Sequence, residues 1–263
     1  MKRKTYPSDL SDEQWQLLEP MLPPPERFGR RRATDLRQIC NALFYVLRTG
    51  CAWRYLPQDY PAWQTVYYYF RRWRDSEWFA VMNEKLRRRL RRQQGRDENA
   101  SAGIVDSQSV KTSEEGAAER GFDAGKKVNG RKRHILVDTL GLLLAVKVHA
   151  ADIQDRDGGK LLFESCRDRL PRLFLIWADG GYRGKLIEWV AVTCCWVLEI
   201  VKRSDDVAGF QVLPRRWVVE RTFAWLSKQR RLSKDYERFC QTSEAWIYLA
   251  MVSVMLKHLK LEN

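Results

Sequence analysis

The chain has 263 residues, 44% apolar and 12% aromatic, so it is long enough for two domains and able to bury a sizeable core, which excludes global disorder. Lys and Arg number 47 against 33 Asp and Glu, a formal charge of +14. A basic excess of that size favours a polyanionic partner, nucleic acid first, because each cation placed on a phosphate releases condensed counterions.

The first third reads as helical. Ser11 and Gln14 have capping-box spacing, in which each side chain satisfies the other residue's backbone N–H. The helix it opens is expected to reach about Leu22, where Pro23-Pro24-Pro25 stops it. Leu36, Ile39, Leu43, Val46 and Leu47 recur at three- and four-residue steps over a second helix, 35–49, with Gly50 as its stop. Residues 53–57 read as a short helix or turn, and a third helix runs through the aromatic stretch 63–73. Short helix, turn and an aromatic helix ending in Arg71, Arg72 and Arg74 is compatible with a helix-turn-helix, some aromatics forming core and the arginines facing DNA. Lys85 to Arg96 holds seven basic residues and no acidic one at the end of a fourth helix. The polar stretch 93–99 marks a boundary between a helical DNA-binding domain, 1–95, and a second domain, 100–263.

The second domain changes character. A strand entered at Ile104 runs through Asp106 towards Val110, and 112–130, rich in Gly, Ala, Glu and Lys, reads as an exposed, mobile loop. Strands are expected at 133–139 and 142–149, turning at Gly141, then a helix over 158–170 and an apolar strand over 173–177. A helix over 185–192, a fifth strand over 196–201 and helices over 216–232 and 243–259 complete the chain. Three strands in a meander followed by alternating helix and strand is the order of the ribonuclease H-like fold: α/β, a mixed five-stranded sheet with flanking helices.

Six cysteines include no Cys-x-x-Cys pair, and His134, His149 and His258 lie far apart in sequence, so zinc-finger spacing is absent. No apolar run approaches membrane-spanning length and no signal peptide is visible, which reads as a reduced, cytoplasmic protein.

Three acids stand out. Asp106 follows two β-branched apolar residues inside a strand, where an unpartnered carboxylate is costly. Asp179 stands just past an apolar strand and before Gly180-Gly181, which permit close approach; in open α/β sheets chemistry gathers at such strand ends. Glu220 is a lone acid on an apolar helix, with arginines on both sides as its alternative, purely structural partners. Converging carboxylates suit Mg²⁺, a hard ion, and two such ions can serve both oxygens of an in-line phosphodiester displacement. Asp152, Asp155 and Asp157 before a helix, Asp138 before a turn, and Asp205-Asp206 read as capping and turn residues.

The stretch Val105 to Thr112 resembles the first catalytic block of bacterial insertion-sequence transposases of the insertion sequence 5 family. Gly130 to Thr139, Ala178 to Tyr182 and Arg216 to Arg221 are similar to its later blocks, and Gly50 to Pro57 to its N-terminal domain. The resemblance implies a DDE transposase whose triad is Asp106, Asp179 and Glu220, binding two Mg²⁺, with Mn²⁺ as substitute. It implies cleavage at each transposon end and attack of the freed 3′-OH on target DNA. Its partners are double-stranded DNA, as transposon ends and target, and further copies of itself, a homodimer or higher oligomer on DNA. No membrane is involved, and the site of action is the bacterial cytoplasm, at the nucleoid. Arg131, Lys132, Arg133, Arg215, Arg216, Arg221, Lys228, Arg230 and Arg231 are the further candidate DNA contacts. Of the superfamily's Tyr-Arg-Glu-Lys signature, Arg216 and Glu220 fit, whereas Leu213 and Ser227 occupy the Tyr and Lys positions. The alternatives are a ribonuclease H-like nuclease without strand transfer and a non-enzymatic DNA-binding regulator.

Overall fold

The computed structural model describes residues 4–24, 34–113, 118–201 and 216–261. The capping box forms: Gln14 N–H donates to the Ser11 hydroxyl at 3.2 Å and Ser11 N–H to the Gln14 side chain at 3.1 Å. It opens α1 (Asp12–Leu18), which tightens into a 3₁₀ turn over Glu19–Met21 because Pro20 has no N–H to continue the α-helical ladder. In α2 (Leu36–Thr49) Asp35 caps the N–H groups of Arg37 and Gln38, and Gly50, at φ +71°, closes the helix in the left-handed region. A 3₁₀ turn over Trp53–Tyr55 leads to α3 (Trp63–Asp75) and α4 (Trp78–Gln93).

The second half contributes β1 (Ala102–Lys111), β2 (Gly121–Asp123), β3 (Val128–Asp138), β4 (Leu143–Ala150), α5 (Asp155–Cys166) and β5 (Leu175–Ala178). It ends with α6 (Lys185–Cys194), β6 (Val197–Ile200), α7 (Trp217–Ser227) and α8 (Cys240–His258). β1 and β4 flank β3 antiparallel, while β1, β5 and β6 run parallel, giving the expected mixed sheet. The sheet has six strands rather than five. The expectation of one exposed loop over 112–130 is corrected: β2 lies inside it and pairs with the start of β3, Gly121 opposite Gly130. A three-residue strand carrying an exposed Phe122 leaves too little alternation to be seen in sequence. The helix expected over 216–232 ends at Ser227, whose hydroxyl turns back onto the Ala224 carbonyl, and a 3₁₀ turn follows at Arg230–Leu232.

Alternation along the strands sorts side chains to two faces. Ile104, Ile135, Val137 and Trp177 join the cluster formed with α7, α8 and the N-terminal helices. Val105, Leu136, Ile176 and Ala178 join the cluster under α5 and α6. α8 is apolar around its circumference and buried on nearly every side, as a central helix must be. Trp246 on α8 lies 4.5 Å from the Phe70 ring and 5.7 Å from Trp53. Asn83 on α4 donates to the Leu143 carbonyl at 2.9 Å. Residues 1–95 and 100–263 thus share one apolar cluster.

Candidate active site

The parallel β1–β5 ladder pairs Ile104 with Trp177. Asp106 and Asp179 each lie two residues further on, so they stand level, Asp106 midway along β1 beyond its pairing with β5 and Asp179 just past the end of β5. Both share the parity of Ile104 and Trp177, so they belong to the face covered by α7. Arg216, just before α7, joins them: its Nη2 lies 3.8 Å from Asp106 Oδ2 and 3.8 Å from Asp179 Oδ2. The other oxygens are held by backbone, Asp106 Oδ1 by the Ser107 N–H at 2.7 Å and Asp179 Oδ1 by the Gly181 N–H at 2.8 Å. Burial pushes the Asp106 carboxyl up to about 6, against the pull of the Ser107 N–H and the Arg216 guanidinium. Two hard-oxygen donors aimed at one cationic group are a donor set that fits a divalent cation of the Mg²⁺ class.

Glu220 is exposed in the first turn of α7. Among the described residues no three His, Cys, Asp or Glu side chains converge into a metal-holding group, so the structure brings together Asp106 and Asp179 but not Glu220. The arginines flanking Glu220 are occupied elsewhere. Arg216 serves the aspartates, and Arg221 stacks on Trp217 and Trp225, at 4.6 and 4.8 Å, and donates to the Leu140 carbonyl. Ser227 is exposed, as is Lys228 beside it, while Leu213 and Arg215 lie outside the described residues.

Behind the aspartates, on the α5 face, sequence reading missed a polar network. Ser107 has the parity of Val105, and its hydroxyl donates to Asp155 Oδ1 at 2.8 Å. Lys132 Nζ lies 3.1 Å from the same oxygen and 3.7 Å from Asp123. Burial works against the Asp155 charge, but the Ser107 hydroxyl and Lys132 outweigh it and hold the carboxyl below its usual range. Asp155 does stand in the first turn of α5, as expected of a helix-start acid, but its side chain does not cap the helix: Gln154 is the N-cap residue and no side-chain cap bond forms. The clue available was Ser107, a hydroxyl that alternation sends to the face opposite Asp106. His134 and His149, distant in sequence, meet on β3 and β4 with ring centroids 4.9 Å apart. Tyr182, fully buried, bonds His134 Nδ1 at 3.0 Å.

The basic candidates divide by burial. Arg131 and Arg133 are buried, and their guanidiniums hold the segment after α7: Arg131 bonds Asp235 and the carbonyls of Glu237 and Arg238, and Arg133 those of Leu232 and Lys234. Lys132 is buried in the network above, and Arg231 pairs with Glu237. Burial with committed donors runs against the DNA-facing role expected for these four residues. Arg74 is largely covered, bonding Thr242 and Asp75. Arg71 and Arg72 are exposed on α3 beside Tyr68, while Val66, Phe70 and Trp73 face the core. Lys228 and Arg230 are exposed, and Arg48 reaches the Lys228 carbonyl at 2.5 Å.

Residues 10–83 match a family described as "Putative transposase of IS4/5 family". Residues 97–255 match a family described as "Transposase DDE domain". The chain is also 32% identical over 108 residues to an "Insertion element IS402 uncharacterized 16.2 kDa protein" of Burkholderia cepacia, covering 39% of this chain and 72% of that protein. The mixed sheet with flanking helices is the ribonuclease H-like fold that a DDE domain implies.

Proposed function

Because the chain belongs to the family of transposases with a DDE domain, we propose that it binds the terminal inverted repeats of an insertion sequence, cleaves the element ends and joins the 3′-OH groups to target DNA. Transposases of this family act on DNA with divalent metal ions. The observation that carries the finer reading is the level placement of Asp106 and Asp179, both within 3.8 Å of Arg216.

Asp106 and Asp179 would hold Mg²⁺, or Mn²⁺ in its place, and Glu220, which stands apart from them on α7, is the proposed third ligand of a two-ion site. Such ions, when bound, activate the attacking oxygen and neutralise charge on the departing one. Arg216 offsets the mutual repulsion of the two carboxylates and keeps them facing each other. The Ser107 and Gly181 N–H groups fix their outer oxygens. The outward face of α3, with Tyr68, Arg71 and Arg72, is the surface proposed to hold the element ends, 1–95 serving as the DNA-binding part and 100–263 as the catalytic part. Arg48, Lys228 and Arg230 form a second basic surface, since Arg48 bonds the Lys228 backbone and Gly50 packs on Arg230. Cutting two ends together calls for a dimer or higher oligomer on DNA.

The test is to incubate the protein with Mg²⁺, a target plasmid and DNA carrying the element's own ends, and to sequence joined products. Joining that depends on Asp106 and Asp179 is expected. Cleavage without joining would favour a nuclease, and full activity in excess chelator would refute the metal-dependent chemistry.

A further inference from the structure

Asp155 touches the supports of both aspartates while belonging to neither strand. Its Oδ1 accepts from the hydroxyl of Ser107, the residue whose N–H holds Asp106. Its Oδ2 lies against Gly181, the residue whose N–H holds Asp179. A Cβ built on Gly181 would stand 3.2 Å from Asp155 Oδ2 and 3.0 Å from Asp179 Oδ1, so the two carboxylates close tightly on the small space that glycine leaves at this point. Lys132 anchors the arrangement from below. Its ammonium is nearly buried, pairs with Asp155 and donates to the Ile153 carbonyl at 2.8 Å. Lys126 donates to the Ser107 carbonyl at 3.2 Å, so the backbone beside Asp106 is gripped from both sides.

We propose that Asp155 is a positioning residue of the catalytic centre: held by Ser107 and Lys132, it fixes residues 107 and 181 so that Asp106 and Asp179 keep the spacing a divalent cation needs. The proposal rests on the function proposed above. Groups that orient ligating carboxylates without touching the cation commonly change metal affinity by about 10- to 100-fold when removed.

The test uses the full chain without DNA and Mn²⁺ as the probe, free ion being counted by electron paramagnetic resonance and folding by thermal denaturation. Asp155→Asn keeps the shape and removes the charge; Ser107→Ala cuts the link to the Asp106 strand and leaves the Lys132 pair intact. Both are expected to weaken Mn²⁺ binding by about tenfold or more in folded protein. Asp157→Asn removes the same charge from the same helix turn, at a side chain that is exposed, and is expected to leave affinity unchanged. A purely structural role would lower the melting temperature and leave the affinity of the folded fraction unaltered. If Asp155→Asn folds poorly, Ser107→Ala decides. Wild-type affinity in folded Asp155→Asn and Ser107→Ala, with loss in Asp106→Asn and Asp179→Asn, overturns the positioning role and leaves the proposed function standing. Equal weakening in Asp157→Asn also overturns it, by assigning the effect to net charge. Mn²⁺ binding indifferent to Asp106→Asn and Asp179→Asn overturns both proposals.

Discussion

Arg91, in the last turn of α4, forms a 2.6 Å ion pair with Asp138, the final residue of β3, and both side chains are almost wholly buried. Asp138 also accepts the N–H groups of Leu140 and Leu142 and so shapes the turn into β4. Removing one partner of such a pair strands a buried charge at a cost of about 3–5 kcal/mol. Arg91→Met is therefore expected to lower the urea midpoint steeply, and the wild-type chain to unfold in one transition across both halves. Separate transitions for the helical and sheet regions would contradict a shared core.

Trp246 extends the same linkage through apolar contact with Phe70 and Trp53. Trp246→Ala should cost about 3–5 kcal/mol, the range for emptying a buried aromatic site. Intact stability by chemical denaturation would show that α3 does not depend on α8.

The basic residues should separate into two groups by experiment. Arg71→Ala and Arg72→Ala are expected to weaken DNA binding and to reduce the slope of log affinity against log salt by about 1 each. Arg133→Ala, whose guanidinium is buried against backbone carbonyls, should lower the melting temperature instead. Binding isotherms across a salt series, set beside melting curves, give both readings. A reduced salt slope for Arg133→Ala with unchanged melting would reverse the assignment.

Burial holds the His134 imidazole down to about 3, with His149 adding to the effect. In the unfolded chain it returns to about 6.5. Between those values the unfolded chain binds a proton that the folded chain refuses. Its contribution is thus intact above about pH 6.5 and is lost as pH falls towards 3, by about 1.4 kcal/mol per unit. His134→Gln should flatten the pH dependence of the urea midpoint between about 6.5 and 4.5 by one proton's worth. An unchanged slope would place the acid sensitivity elsewhere.

Glu220→Ala is expected to abolish cleavage and joining while DNA binding persists, and Glu220→Asp to be severely impaired, because its carboxylate falls short by about 1 Å. Product analysis on gels, beside a DNA-binding titration, checks both. Activity in Glu220→Ala would remove this residue from the proposed triad.

What sequence made legible was local. Ser11 with Gln14, Gly50 as a helix stop, Asp106 within a strand and Asp179 just past one each depend on a few adjacent residues, and the structure forms all of them. What it concealed depends on distant partners. The helix expected over 243–259 gave no sign of its central place, because the α3 and α4 rings that cover α8 lie far from it in the chain. Arg131 and Arg133 looked like surface charge because the carbonyls that absorb them lie about a hundred residues on. Asp155 stood where a helix-start acid is ordinary, and only the fold brings Ser107 to it.

The central place of α8 has a consequence for synthesis. Helices α1 to α4 leave the ribosome first, but the helix that covers their apolar faces emerges about 165 residues after α4 is complete. At about 5–20 residues per second that is a wait of roughly 10–30 s, during which Phe70 lacks the Trp246 ring that stacks on it. The helical region therefore reaches its final packing only once α8 has emerged. A chain interrupted before residue 240 is expected to leave that apolar face open and to aggregate more readily than the full chain, which light scattering would measure.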